Sequence, residues 1–556
     1  MPTEASANEV GASRTMGESR GRIRWMIPAA VLVIYMAQCA WFIRTQSLTY
    51  DEPIHVMAGL EAWREDRFQH WNDHPPLGRL LLTLPLLHRR FQVEVTQDAE
   101  FRVDTPTLQP GPEEIAWRGR SVNVVLGVIL GVLLWMAARH LWSEPAANAS
   151  LALFAFSPSL IAHFSLISTD GIGTLSIFAV AWQLVRWRRN PSRFQTTLLG
   201  LSLGVLLLAK FYTPPFFLLT IALVLLLKPD GWRGWPRHWN WGAALSATVI
   251  ALGVLWAGYF FHVSHLTARN GTLVATYPNR PPLVKQMATP VPLNLWIPAG
   301  EYIDGLRQVK FHNRLGHASY FLGQTSLRGR WKMYYPALIL LKWPTVVLLL
   351  VLATAALSTA GRLKLSPDWA ILAAYPALTL GMAMLSRIQI GERHILPAYL
   401  FALLFAGGAW EYARGHGRRL ARIAVLLAIA AHAGDSLRYA PDYLSYFNIF
   451  VPPNESWKLV TDSNLDWGQG LLALRHFEQQ HPAEVIHLAY FGSVRPESYE
   501  VRALPLQPGE RVSGTVVVSA TQLSGQMLQD PESYRWLLQY PVSTVLNHSL
   551  LVFQVP

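Results

Sequence analysis

Tyr50-Asp51-Glu52-Pro53-Ile54-His55, followed further on by Asp73-His74-Pro75-Pro76-Leu77-Gly78-Arg79, is the stretch on which the reading of this chain turns. It comes directly after a very apolar segment, roughly Trp25 to Ile43. Carboxylates, imidazoles and a guanidinium are thereby set against a membrane surface. Charged groups there are costly unless paired or used. The expectation is a functional loop held in place by the apolar segments around it.

The composition fits that setting. Of 556 residues, 51% are hydrophobic and only 15% charged, and the mean hydropathy is +0.22. Such a balance belongs to a polytopic membrane protein with sizeable polar loops. The 22 tryptophans suit interfacial belts. The net charge of +12 does not point to nucleic acid, because the basic residues fall largely in short loops between apolar runs. One cysteine, Cys39, excludes an internal disulfide and argues against a cysteine-based metal site. The polar N-terminal stretch reads as a disordered cytoplasmic tail over 1–22, and the first apolar run as an uncleaved anchor.

Arg20, Arg22 and Arg24 before the first apolar run place the N-terminus in the cytoplasm. Further spans are expected at 120–141, 148–165, 171–187, 197–211, 213–228, 241–262, 335–358, 369–385, 395–411 and 421–436. The basic loops Arg186–Arg193, Lys228–Trp239 with Arg233, and those with Arg362 and Arg418 fall on the inner side of this count. The total is eleven transmembrane helices. Large outer loops then occupy 44–118 and 263–333. The apolar piece Leu77–Leu87, ending in His88-Arg89-Arg90, is too short to span and is expected to lie in the interface. The loop 263–333, with Pro and Gly throughout, is expected to be irregular; His262, His265, His312 and His317 lie in or beside it. After about 440 the hydropathy falls. Glu484–Phe491, Arg511–Ala520 and Val542–Val555 read as strands, and Leu471–Gln479 and Glu532–Leu538 as helices. The expected architecture is an α-helical polytopic domain over 23–440 with a small C-terminal α/β extracytoplasmic domain over 441–556.

Each candidate residue has a structural and a chemical reading. Asp51 can cap a helix that Glu52 and Pro53 begin, or serve as general base for an acceptor hydroxyl or amine. Arg79 can snorkel to headgroups or bind phosphate. Asp170, in Ser168-Thr169-Asp170-Gly171, can cap a helix or act at a site. Lys210 can snorkel or hold an anion. In Gly391-Glu392-Arg393-His394 the first two charges can pair with each other. Yet Asp51, Glu52, His74, Arg79, Asp170, Lys210, Arg393 and His394 come from distant parts of the chain and all map to the outer face. Acidic bases and cations gathered there suit a lipid-phosphate-linked donor.

With these residues the chain resembles the GT-C-type glycosyltransferases, namely the protein O-mannosyltransferases and the bacterial aminoarabinose transferases. Asp51-Glu52 after the first span, His74-Pro75-Pro76-Leu77-Gly78 and Asp170 match that pattern in order. Arg393-His394-Ile395-Leu396-Pro397, Tyr443-Leu444-Ser445-Tyr446-Phe447-Asn448, Asp462-Ser463-Asn464-Leu465-Asp466-Trp467-Gly468-Gln469 and Tyr490-Phe491-Gly492-Ser493 resemble a bacterial branch of phospholipid-carrier-dependent glycosyltransferases with a C-terminal outer domain. The resemblance implies a polyprenyl-phosphate-sugar donor, an outward site and inversion at the anomeric carbon. It makes Asp51 the base or acceptor-orienting carboxylate and Asp170 a second acidic group. Arg79 stands where relatives often carry lysine, and a planar fork grips phosphate differently from an ammonium. Gly470 follows Gln469 where an acidic residue is expected.

The resulting expectation is an integral-membrane glycosyltransferase of the bacterial plasma (inner) membrane. Asp51, Glu52 and Asp170 are its catalytic candidates. Arg79, Lys210 and Arg393 are the donor-phosphate ligands, and His55, His74 and His394 support them. The acceptor is a lipid, glycan or protein group on the periplasmic side. No cofactor is required; a divalent metal is compatible, but no ligand spacing assigns one. The alternative is a polytopic lipid or glycan transporter (flippase). It predicts charges near span centres and inverted repeats, whereas the charges here gather at span ends.

Overall fold

A computed structural model describes residues 5–68, 72–88, 96–97, 103–104, 111–228, 237–269, 272–279, 283–286, 293–415 and 417–556. Arg89, Arg90 and Arg233, and parts of both expected outer loops, lie outside these residues.

The first helix, α1 (Ala5–Thr45), takes in most of the stretch expected as a disordered tail; its alanines and glutamates favour helix. Its apolar part, Trp25–Thr45, is long enough to cross a membrane. Two short helices follow. α2 (Glu52–Glu65) ends at Asp66, which takes a left-handed conformation. α3 (Pro76–Thr83) continues into the tight turn Leu84–Leu86. Leu77–Leu87 was expected to lie in the interface. Instead α3 buries Arg79, Leu80, Leu82 and Thr83, and it packs on α2 and on the neighbouring long helices. Gly59 makes this crossing close, since a Cβ there would sit 2.5 Å from the Arg79 carbonyl oxygen.

The helical body continues with α4 (Pro112–Leu141), α5 (Glu144–Ala155), α6 (Pro158–His163), α7 (Asp170–Arg189), α8 (Arg193–Ala209), α9 (Pro214–Leu226) and α10 (Arg237–Gly258). After the second large loop, with its helix α11 (Gly300–Leu315), come α12 (Tyr334–Lys342), α13 (Thr345–Thr359), α14 (Asp368–Leu385), α15 (Leu396–Ala413) and α16 (Arg419–Leu437). Among the described residues six helices are long and apolar enough to cross a membrane, or seven if α12 and α13 form one bent span. The expected eleven is therefore not reached by helix length. The segment 148–165 breaks at Ser157-Pro158, and 335–358 turns through 105° at Pro344, because proline supplies no amide donor to continue a helix. α9 has only 13 residues, roughly 20 Å of helix against a hydrocarbon core of about 30 Å.

The second large loop is more ordered than its Pro and Gly content suggests. Leu283–Gln286, Thr272–Thr276, Val263–Arg269 and Leu293–Pro298 form an antiparallel sheet in that order. β-branched and apolar residues on these strands outweigh the breakers between them. His262 ties this loop to the first one: Nε2 lies 2.9 Å from Asp66 Oδ1 and Nδ1 2.8 Å from Glu301 Oε1.

The C-terminal part begins with α17 (Leu471–Gln480) and carries a five-stranded sheet. Leu504–Pro505, Ile486–Ala489 and Gly514–Ser519 run parallel, with Thr515 opposite Ile486. Leu550–Val555 and Val542–Leu546 complete it antiparallel, with Val516 opposite Phe553. The expected strand Val542–Val555 is thus a hairpin, and the expected helix Glu532–Leu538 is the tight turn Arg535–Gln539. This sheet does not keep a core of its own. Leu471, Leu474, Ile486, Leu488, Val517 and Val552 pack in one apolar cluster with Leu48, Val56, Leu60, Leu82, Leu86 and Ile115 of the first outer loop and its flanks. Replacing the fully buried Leu474 by alanine is therefore expected to cost about 2–5 kcal/mol. It should also raise protease cleavage within the loop around α2, measured by limited proteolysis beside the thermal unfolding midpoint.

Candidate functional site

The segment before Asp51 is fastened to the C-terminal part by main-chain bonds. Ser47 N–H donates to the Gln469 carbonyl at 3.0 Å and Tyr50 N–H to the Trp467 carbonyl at 2.8 Å. Ser47 Oγ donates to the Gly468 carbonyl, and Leu48 N–H to Tyr499 Oη. Ser493 Oγ donates to the Tyr50 carbonyl at 2.7 Å, and the Tyr50 ring stacks on Phe491 with centroids 5.2 Å apart. Two stretches marked in the sequence, Asp462–Gln469 and Tyr490–Ser493, thus fix where α2 begins.

Asp51 occupies the N-cap position of α2 but makes no side-chain cap bond. Its carboxylate turns instead to Arg393, whose Nη1 lies 3.0 Å from Oδ2. The same Nη1 is 3.8 Å from Asp170 Oδ2, and Asp170 Oδ1 accepts from Lys210 Nζ at 2.8 Å. The result is an alternating row, Asp51–Arg393–Asp170–Lys210, drawn from four distant segments. Asp170 is the first residue of α7 rather than its cap, which is Thr169. Lys210 does not snorkel; it is buried in this ion pair. Arg393 lies over the Trp467 ring, 4.2 Å from its centre, a cation–π contact that holds the guanidinium flat. Asp51 remains 28% exposed while Asp170 is 2% exposed, so Asp51 is the carboxylate of this row that a substrate can reach.

Glu52 does something else. Its two oxygens accept from Arg120 Nε at 2.8 Å and Nη2 at 2.7 Å. They also accept from the amides of Thr49 and Ile167 and from Thr49 Oγ1. Arg120 in turn donates to the carbonyls of Gln46 and Ser47. A fully buried carboxylate with five donors has no lone pair left for a substrate proton, so its geometry is that of an anchor rather than of the catalytic group expected.

Arg79 belongs to a neighbouring group. Its Nη2 donates to Asp73 Oδ1 at 2.6 Å and its Nε to His55 Nδ1 at 3.2 Å. The His55 and His74 rings lie 5.1 Å apart. Burial pushes both imidazoles well below the usual histidine range; Arg79 beside His55 and Lys210 beside His74 add to this. A neutral His55 is also what the bond from Arg79 requires, since Nδ1 must accept. His74 lies within electrostatic reach of Lys210, Arg79, Asp170 and Arg393, members of both groups. His394 accepts or donates to Tyr335 Oη at 3.0 Å and borders Arg393. Glu392 and Arg393 do not pair: Glu392 takes Ser159 Oγ at 3.0 Å and Lys342 Nζ at 3.4 Å.

Three further groups reach the site without having been singled out for a role. Asp462 has a left-handed backbone, accepts from Gln526 Nε2 at 2.8 Å and lies within electrostatic reach of Arg393, His317 and Asp51. Burial raises its carboxyl. Trp467 supplies the ring under Arg393, and His163 faces Asp170 and Arg393. His163 lies in an apolar run with no charged neighbour in sequence, so no local signal marks it. Asp466 is structural: burial pushes it up to about 6, and Thr521 N–H donates to it at 2.8 Å. Among the described residues no group of three or more His, Cys, Asp and Glu side chains is placed to hold a metal ion.

The anchoring pair can be tested apart from the chemistry. Glu52→Gln strands a buried guanidinium, and Arg120→Met strands a buried carboxylate; each should destabilise by about 3–5 kcal/mol. The double variant should lose less than the sum of the two. Unfolding midpoints of the four proteins in one detergent measure this.

Residues 66–268 match the family model described as dolichyl-phosphate-mannose-protein mannosyltransferase. The matched stretch contains Arg79, Asp170 and Lys210 but begins after Asp51 and ends before Arg393. No curated protein sequence matches the chain. Among solved structures, the S. cerevisiae protein O-mannosyltransferase Pmt1–Pmt2 complex bound to the sugar donor is similar, with TM-score 0.51 and 12% identity over 75% of this chain and 90% of that one. ArnT from Cupriavidus metallidurans bound to undecaprenyl phosphate aligns with TM-score 0.46 and 11% identity over 95% of this chain and 97% of that one. With its several apolar helices, this chain is a multi-pass membrane protein. Over residues 66–268 it matches the protein mannosyltransferase family, and its fold is similar to that of the protein O-mannosyltransferase complex.

Proposed function

We propose that the chain transfers a sugar from a polyprenyl-phosphate-linked donor to a lipid, glycan or protein group on the outer side of a bacterial inner membrane. The observation that carries the proposal is the placing of Asp51: partly open, yet 3.0 Å from a guanidinium that also borders Asp170. In this reading the acceptor oxygen or nitrogen attacks the anomeric carbon as Asp51 takes its proton. The bond from that carbon to the phosphate oxygen breaks, and the polyprenyl phosphate leaves with both electrons. Attack opposite the leaving group inverts the anomeric centre. Lys210 and Arg393, with Arg79 nearby, neutralise the departing phosphate. A phosphate that draws Arg393 toward itself also releases Asp51 from its ion pair, so donor binding would unmask the base. Asp170 keeps Lys210 and Arg393 in register. The reading calls for no cofactor, since cations of the chain itself supply the neutralising charge; a divalent metal is compatible with it. A lipid or glycan transporter is not favoured, because the family match is to transferases.

Asp51→Asn keeps the shape of the side chain and removes the base. The folded variant should lose about a hundred- to ten-thousand-fold in transfer rate while still binding polyprenyl phosphate, measured with purified protein and a polyprenyl-phosphate sugar. Near-normal turnover would move the base to another carboxylate. Arg79→Ala, Lys210→Gln and Arg393→Gln should each weaken donor binding by about 1.5–3 kcal/mol, read from titrations with polyprenyl phosphate. Arg79→Lys should keep part of its activity if charge alone matters. Unchanged donor affinity in all three neutralised variants would remove them from the phosphate site.

A further inference from the structure

From Gly305 to Tyr335 the chain holds Arg307, Lys310, Arg314, Arg328, Arg330 and Lys332 and no Asp or Glu. Loops on the outer side of a membrane are ordinarily poor in Lys and Arg, so a basic stretch there needs its own explanation. All six side chains are exposed. Among the described residues none of them has a carboxylate within ion-pair distance.

The geometry gives these cations a common face. On α11, Ile303, Arg307, Lys310 and Arg314 follow at intervals of four, three and four, which puts them in one stripe, with Phe311 beside it. The opposite side of the helix is packed on protein: the Tyr302 ring lies 5.3 Å from Phe211, and Gly305 abuts the same ring. The helix ends at Gly316, whose position faces the Arg328 backbone, and Arg387 Nη1 donates to the Arg314 carbonyl at 2.8 Å. The second basic strip, 327–333, therefore adjoins the end of the first. Large apolar side chains stand out between the charges: Phe311 is 63% exposed, Leu327 65% and Met333 65%. α12, the first half of the bent apolar pair, begins at the next residue, Tyr334.

We infer that α11 and the 327–333 strip form a docking surface for the anionic phospholipid headgroups of the leaflet beside the site. The cations would meet lipid phosphates while Phe311, Leu327 and Met333 enter the acyl boundary, as in interfacial helices. The occupant is a bilayer rather than an acidic protein, because exposed apolar side chains alternate with the charges and the surface runs straight into a membrane-entering helix. The inference rests on the outer-side reading of the proposed function.

The sole cysteine, Cys39, is buried, so an introduced thiol is labelled selectively. The full chain carrying Phe311→Cys, or separately Leu327→Cys, is labelled with an environment-sensitive dye and placed in nanodiscs of phosphatidylcholine with or without phosphatidylglycerol. The expected result is a blue shift and quenching by brominated lipid that grow with phosphatidylglycerol content. Both should be lost when Arg307→Gln, Lys310→Gln and Arg314→Gln are combined. A label that stays in water in all discs, or a shift indifferent to lipid charge, overturns the inference. A shift produced by polyglutamate and not by phosphatidylglycerol overturns it in favour of a protein partner. Asp51→Asn should leave the lipid response unchanged, which separates this surface from the transfer reaction. An impermeant thiol reagent applied to intact cells should reach Phe311→Cys; failure there strikes the outer-side reading alone.

Discussion

A buried ion pair sets the position of everything else at the site. Glu52 and Arg120 meet through two hydrogen bonds, and their remaining donors and acceptors are taken by the backbone at 46–49 and at Ile167. Two charges removed from water are tolerable only when their polar atoms find partners, and here both carboxylate oxygens and all three guanidinium nitrogens do. The pair joins the start of α2, the first third of α4 and the loop before α7. Asp51 is one residue before Glu52, and Asp170 three residues after Ile167. Both carboxylates of the site are thus carried on segments that the same buried pair has already located.

Ion pairing then repeats on a smaller scale. Arg393 is shared between Asp51 and Asp170, and Lys210 takes the far oxygen of Asp170. Every member except Asp51 is nearly buried, so these charges interact through protein rather than through water, where the attraction is far less screened. Such a row is balanced as it stands. Under the proposed function, a phosphate entering it would add negative charge and draw on the same cations that now hold the carboxylates.

Much of this was legible beforehand. Asp51, Asp170, Lys210 and Arg393 could be singled out because charged residues at the ends of apolar runs are rare. Glu52 was misread because adjacent carboxylates look alike in sequence; only the burial of Arg120 on α4 separates them. Arg79 was expected on a helix lying in the interface and is buried, since a short apolar run does not say whether lipid or protein covers it. Two of the expected spans are interrupted at prolines. A hydropathy window runs through Ser157-Pro158 and Trp343-Pro344, whereas a helix does not. His163 and the ring of Trp467 are invisible to local patterns because Arg393, which both adjoin, lies far from each of them in the chain.

The clamp between residues 47–50 and 467–499 has a consequence for how such a chain is made. Synthesis delivers Asp51 early, and the residues that fix its loop arrive last. During most of translation the membrane helices can insert while the loop lacks its hydrogen-bond partners at Trp467, Gln469, Ser493 and Tyr499. A chain cut short before Trp467 would carry Asp51 on a loop that lacks every one of these partners.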